Sequence, residues 1–270
     1  ITGTDAISEF QPGEILVAPQ TDPSWTPLFM VASAVIVDTG SMGSHAMIVA
    51  RELGIPCVAG LPKATEMIGT GTMVRVDGDN GIGPVVGMRA LDAAMQAAGN
   101  LGIGIALARG SNHFGPISPY ALMAAEQGFA SIICSNATTT IAPWGGSDAR
   151  LGNSPIGFGV PCPGGDPFLL DMAMSVVARA KIRNAFKRGQ SIPDTWATDS
   201  QGKPTTDPGT ALDGFLLPIG GHKGYGLALV VDLLAGLLSD AAYLTHVKSW
   251  SDAPEQAQNL GHCFILIDTR

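Results

Sequence analysis

From residue 85 onward the chain alternates two kinds of apolar pattern, and that alternation restricts its fold more than any other feature. Residues 85–98 set Val86, Leu91, Ala94, Met95 and Ala98 on one helical face and stop at Gly99. Residues 103–108 form a short apolar run of buried-strand length. Residues 120–127 then read as a helix closed by Gly128, and residues 130–135 as the next strand. Helix, strand, helix and strand in succession call for a sheet covered by helices, an α/β architecture. With 46% hydrophobic and 14% charged residues among 270, the chain can bury an extensive core, and 35 glycines suit many tight turns.

The first 80 residues carry a shorter version of the same pattern. Strands are predicted at 14–18, 34–38, 57–60 and 72–77, with helices at 23–31 and from an N-cap at Ser44 until Gly54 and Pro56 stop it. Residues 77–84, Asp-Gly-Asp-Asn-Gly-Ile-Gly-Pro, form a turn-rich bridge that can close this unit or open the next. The expected division is a small α/β domain over 1–80 and a larger one over 81–270. Residues 193–208 read as a polar excursion within the larger domain.

Charge and cysteine usage narrow the function. A net charge of −8, with no Lys/Arg cluster, weighs against nucleic acid and anionic membrane surfaces and favours small-molecule partners. Residues 224–238 are the strongest apolar run, but Asp232 interrupts it and it is too short to span a bilayer. No basic-then-apolar leader pattern follows Ile1. Cys57, Cys134, Cys162 and Cys263 show no Cys-x-x-Cys spacing and read as reduced thiols of a cytoplasmic protein. Asp, Glu and His are nowhere gathered at ligand spacing, so no catalytic metal is expected.

Three places can carry chemistry. His113 stands in Gly110-Ser-Asn-His-Phe-Gly115, at the end of the 103–108 run. There it is either an acid/base presented to a cleft or a turn residue capping the next helix. His45 lies in the first turn of a helix behind a glycine-containing loop, where exposed amides favour an anion such as a phosphoryl group, or it merely caps. In Gly220-Gly-His-Lys-Gly-Tyr-Gly226 the backbone can approach a ligand, and Lys223 offers a compact charge for phosphate or carboxylate; the same residues also suit a hinge. Asp171 ends an apolar run before a small-residue stretch read as a helix bearing Ser175 and Lys181. It can accept ribose hydroxyls or cap that helix. His246 and His262 fall in no motif.

The stretch from Thr39-Gly-Ser-Met-Gly-Ser-His45 through Arg51 to Gly60 resembles the swivelling phosphohistidine domain of phosphoenolpyruvate-utilising enzymes, over residues 13 to about 82. That resemblance makes His45 a phosphoacceptor, although no partner domain of such a relay is visible in the sequence. A second resemblance covers about residues 77–270. It rests on Gly110–Gly115, Ala142-Pro-Trp-Gly-Gly146, Leu151-Gly-Asn-Ser-Pro-Ile156, residues 170–181 and Leu217-Pro-Ile-Gly-Gly-His-Lys-Gly-Tyr-Gly-Leu227. Together these resemble the type-2 malate/L-lactate dehydrogenase family.

This second resemblance implies an α/β fold that is not a Rossmann fold, in keeping with the absence of Gly-x-Gly-x-x-Gly after a strand. It implies a homodimer that moves a hydride between NAD or NADP and a 2-hydroxy or 2-oxo acid. His113 falls on the catalytic histidine. Asn136 and Ala137 fall near the nicotinamide, and Asp171, Met172, Ala173, Ser175, His222, Lys223 and Gly224 fall on cofactor-binding segments. The family also expects Ser-His-Gly with a following arginine and tyrosine that hold the substrate carboxylate. Here Ala46 follows Ser44-His45, Val49 takes the arginine position and Glu52 lies near the tyrosine's. The chain thus reads as a chimera joined within 76–84, shortened at both ends relative to the family. Losing the charge-assisted carboxylate contact, worth about 1.5–3 kcal/mol, implies weak activity.

Overall fold

The computed structural model describes residues 10–68, 71–249 and 253–270. The leader-free stretch expected at the start of the chain lies outside them. The chain divides into two compact units, Ile1–Thr70 and Gly71–Arg270.

In the first unit, β1 (Ile15–Ala18) leads through a 3-10 turn at Pro23–Trp25 into the short helix α1 (Thr26–Phe29). Then come β2 (Ala34–Val37), α2 (His45–Leu53), β3 (Cys57–Ala59) and α3 (Ala64–Met67). The strands form a parallel sheet in the order β1-β2-β3. Leu16, Ala18, Val35 and Val37 bury one face against Trp25, Leu28, Phe29, Ala46 and Ala50. Ser44 occupies the position before α2 with extended backbone, as expected. Its hydroxyl nevertheless makes no capping bond and is buried without a partner.

The second unit opens with β4 (Met73–Asp77), α4 (Gly83–Leu101), β5 (Ile103–Ser111), α5 (Ser118–Glu126) and β6 (Phe129–Ser135). It continues with β7 (Thr139–Ile141), β8 (Leu151–Gly152), β9 (Ile156–Val160), β10 (Phe168–Met172), α6 (Arg179–Lys187) and β11 (Ala197–Thr198). Last come α7 (Pro208–Leu212), β12 (Phe215–Leu216), α8 (His222–Asp232), a π-helical turn at Leu233–Leu237 and β13 (Leu260–Asp268). The main sheet runs β10-β9-β6-β13-β5-β4. Only the β4–β5 pair is parallel; every other neighbour is antiparallel. A smaller sheet has the order β11-β12-β7-β8.

Alternation along the central strands separates two apolar layers. Ala106 and Ala108 of β5, with Phe264 and Leu266 of β13, pack against α4 and α5. Leu107, Cys134 and Cys263 face the opposite way, against Val231 and Ala235 of the α8 segment. The sheet is therefore sandwiched between helices, a mixed α/β arrangement. Cys134 and Cys263 are direct cross-strand neighbours, and all four cysteines are free thiols.

Several local expectations are corrected. The strand at 72–77 belongs to the second unit: Met73 to Asp77 pair with Ile105 to Arg109, and Val76 packs on the large core. Period-two alternation announced the strand but says nothing about its partner. Helix α4 continues past Gly99 to Leu101, and Gly102 ends it in a left-handed conformation at φ 83°. Asp171 lies inside β10, and no helix begins until Arg179, so Lys181 is helical and Ser175 is not. The polar excursion contributes β11 to the small sheet, with Ala197 fully buried.

Candidate active site

His113 follows the end of β5 in a loop fixed from four directions. Asn112 Nδ2 donates to the carbonyls of Asn80 and Gly81, 3.1 and 3.0 Å away, tying the loop to the 77–84 turn. Gly83, the first residue of α4, lies so close that a Cβ there would sit 2.3 Å from the carbonyl oxygens of Asn112 and His113. The 77–84 bridge thus opens the second unit and forms the floor of the His113 loop. The His113 amide donates to Gln258 Oε1 at 3.4 Å, and the ring accepts at Nδ1 from the Gly115 amide at 3.2 Å. Beyond the loop, Asp171 Oδ2 accepts from the amides of Ile117 and Ser118, both at 2.8 Å, and so caps α5.

Beneath the loop lies His262, fully buried at the start of β13. Its Nδ1 meets Ser135 Oγ at 2.8 Å and its Nε2 meets Ser111 Oγ at 2.7 Å, joining the ends of β6 and β5 through one ring. Phe114 stacks on this imidazole and on Tyr120, whose hydroxyl donates to the Phe114 carbonyl at 2.7 Å. Burial, and secondarily the charge of His113, push the His262 pKa down to about 3, so the ring is neutral at physiological pH.

His113 borders a cavity of about 410 Å³, within the range of small-molecule sites. Its wall combines Asn136, Ala137 and the three threonines 138–140 with Arg179 and Arg183 from the start of α6. Among the described residues lining it there is no carboxylate, so the two guanidiniums are its permanent charges. Thr140 Oγ1 in the wall, and Ser154 Oγ between the wall residues Asn153 and Pro155, are buried without hydrogen-bond partners. The orphaned Thr140 hydroxyl beside neutral polar groups fits a ligand that carries amide and hydroxyl functions, as a nicotinamide dinucleotide does. No group of three His, Cys, Asp or Glu able to hold a metal occurs among the described residues.

The structure brings some of the sequence-predicted residues together and separates others. His113, Asn136 and Ala137 share the cavity. The Asn136 side chain, however, is spent on the protein: Nδ2 donates to the Ala242 carbonyl at 2.6 Å and Oδ1 accepts from the Gly261 amide at 3.0 Å. Asp171, Met172, Ala173, Ser175, His222, Lys223 and Gly224 do not border it. The two predicted cofactor segments do adjoin one another. Ser175 bridges to Pro218, and the Ile219 amide donates to the Met174 carbonyl at 2.9 Å. They also reach the cavity wall, because the Met174 amide donates to the carbonyl of Asn153 at 2.8 Å. Ser175 Oγ donates to the Val177 carbonyl, and His222 and Lys223 are exposed at the start of α8. Gly224 is required by packing within the protein, since a Cβ there would lie 1.7 Å from the Ile219 carbonyl oxygen.

Sequence reasoning missed Arg179, Arg183, Gln258 and His262. The arginines carried a usable signal, because positions four apart share a helical face. His262 and Gln258 carried none, because their importance lies in pairings with residues more than a hundred positions away.

In the first unit, His45 begins α2 with Nδ1 3.0 Å from Thr21 Oγ1 and its ring edge-on to Phe29, 5.8 Å between centroids.

Residues 49–270 match the malate/L-lactate dehydrogenase family, and residues 10–81 match the mobile domain of PEP-utilising enzymes. The chain is 43% identical over 201 residues to a malate dehydrogenase of Pyrococcus horikoshii, covering 72% of this chain and 55% of that protein. It is 35% identical over 190 residues to the ureidoglycolate dehydrogenase (NAD(+)) of Escherichia coli, covering 70% of this chain and 54% of that protein. The solved sulfolactate dehydrogenase of Methanocaldococcus jannaschii superposes with a TM-score of 0.68 at 38% identity, covering 75% of this chain and 58% of that one. The chain thus spans about half the length of the curated relatives it matches.

Proposed function

The chain belongs to the malate/L-lactate dehydrogenase family, and from that premise we propose that it acts as a nicotinamide-dependent oxidoreductase of 2-hydroxy and 2-oxo acids, with His113 as acid and base. The observation that carries this reading is the cavity, where the His113 imidazole shares a wall with two arginines and, among the described residues, no carboxylate. The nicotinamide, NAD or NADP, supplies or receives the hydride.

His113 gives a proton from Nε2 to the carbonyl oxygen of the 2-oxo acid during reduction and takes it from the hydroxyl in reverse. Both working forms carry a hydrogen on Nδ1. The Gly115 amide contact therefore belongs to the resting ring and is released when His113 takes up a proton. Ala137 and the orphaned Thr140 hydroxyl would hold the nicotinamide, with Asn136 shaping the wall behind them. Met172, Ala173, Ser175, His222, Lys223 and Gly224 would hold the rest of the dinucleotide, a grouping supported by the backbone pairing of those segments. Asp171 commits Oδ2 to α5 and offers Oδ1 to a ribose hydroxyl.

We place two copies in a homodimer. Leu227, Val230, Leu237 and Leu238 leave an exposed apolar stripe along the α8 segment that supports this. Turnover by this chain alone is expected to be weak, since Val49 stands where the family's carboxylate-holding arginine is expected. The test is fluorescence titration with NADH and NADPH, followed by absorbance with a panel of 2-oxo acids. Absence of nicotinamide binding would remove the proposal.

A second reading concerns the first unit. Thr21 engages Nδ1 of His45 and leaves Nε2 to accept a phosphoryl group at the start of α2, which supports a phosphocarrier role. Acid-labile phosphate on the chain after incubation with phosphoenolpyruvate and a partner enzyme, absent from His45→Ala, is the expected result. Label on His45→Ala would exclude the site.

A further inference from the structure

The geometry points to Arg183, with Arg179 one turn before it, as the seat of the acid's carboxylate in the His113 cavity. The assignment rests on the oxidoreductase reading and names the anion-binding group of that site. In a chain of net charge −8, the described wall of this cavity holds two guanidiniums and no carboxylate. Such a concentration of one sign is costly unless an anion completes it. Two like charges four residues apart on a helix repel one another.

The two arginines are presented rigidly. Between them Ile182 is fully buried in the core that also holds Ile141, Ala197 and Leu216, which fixes the rotation of α6 and turns positions 179 and 183 toward the cavity. They differ in commitment. The Arg179 guanidinium donates to the Leu212 carbonyl at the end of α7, which anchors it to the protein. Arg183 is exposed to the cavity and pairs with no carboxylate among the described residues. A planar guanidinium fork matches a carboxylate through two parallel hydrogen bonds, which a lysine cannot reproduce. Arg183 and His113 border the same cavity, so an acid held by its carboxylate at Arg183 shares that volume with the His113 ring.

The test uses the full chain and oxamate, which carries the carboxylate and adjacent carbonyl of a 2-oxo acid but no ketone to reduce. Calorimetric titration should show oxamate binding that Arg183→Gln weakens tenfold or more, as loss of a charge-assisted pair implies, with Arg183→Lys recovering only part. The His113 ring signals should shift with oxamate in the unaltered chain and not in Arg183→Gln, while NADH affinity stays within about twofold in every variant. Circular dichroism confirms that the variants are folded, as an exposed position predicts. Equal oxamate affinity in the unaltered chain and Arg183→Gln would overturn the assignment, as would no oxamate binding by the unaltered chain. Selective loss of NADPH over NADH binding in Arg183→Gln, with oxamate unaffected, would also overturn it by making Arg183 a phosphate ligand. Failure of the oxidoreductase reading shows separately, as absence of nicotinamide binding.

Discussion

The imidazole of His262 lies flat on the ring of Phe114, with centroids 4.1 Å apart and planes within 11°. Each serine has a second acceptor within reach: Ser135 Oγ lies 2.9 and 3.2 Å from the carbonyls of Asn136 and Gly261, and Ser111 Oγ 3.2 Å from that of Asn112. A neutral imidazole donates at one ring nitrogen and accepts at the other, so it gives a hydrogen to one serine and takes one from the other. One neutral tautomer thus satisfies both serines and supports the residue next to His113.

This arrangement makes stability depend on pH. The folded pKa of about 3 lies below the ordinary 6.5, so protonation favours the unfolded chain. The contribution is complete above about pH 6.5 and is lost as pH falls toward 3. Between pH 6.5 and 5 this one group removes about 2 kcal/mol. Urea denaturation at the two pH values should show that loss in the unaltered chain and a flatter dependence in His262→Asn. Equal dependence in both would mean that His262 is not the titrating group.

Gly83→Ala should move the His113 loop without touching any ligand. The added Cβ would lie 2.3 Å from the Asn112 and His113 carbonyl oxygens, both backbone atoms, so the strain falls on the loop itself. Thermal melting should show a loss of about 1–3 kcal/mol, with oxamate and hydride-transfer readouts falling together. A variant that melts and binds like the unaltered chain would contradict this account of the loop.

Asp171→Asn separates two roles of one carboxylate. Removing the charged acceptor from the Ile117 and Ser118 amides should cost about 0.5–2 kcal/mol of stability. If Oδ1 also serves a ribose hydroxyl, NADH affinity drops about tenfold by fluorescence titration. Unchanged NADH affinity with reduced stability would leave Asp171 a helix cap alone.

The sequence carried the existence of most elements, because burial imposes a period and glycine marks the ends. It did not carry pairings. Residues 72–77 looked like the last strand of the first unit because alternation is local, whereas the partnership with β5 depends on which sheet edge is open. Gly110 and Ser111 looked like turn residues, yet β5 runs through Ser111, which accepts Leu260 of β13 as its neighbour. That His113 stands at a cavity was legible, because a histidine between turn-formers after an apolar run is conspicuous. The glycines of 220–226 were legible as a cluster, but the close approach of Gly224 to the Ile219 carbonyl, which leaves no room for a side chain, was not. His262 was invisible as a participant, because only the folded sheet places it between Ser111 and Ser135.

The proposed role of His113 is to exchange the proton that accompanies hydride transfer in this cavity. The direct measurement is the oxidation of NADH or NADPH with a 2-oxo acid by the unaltered chain and by His113→Gln, with cofactor affinity determined for both. His113→Gln should lower the rate by about 10²-fold or more and leave cofactor affinity nearly unchanged. An equal rate in His113→Gln would contradict it.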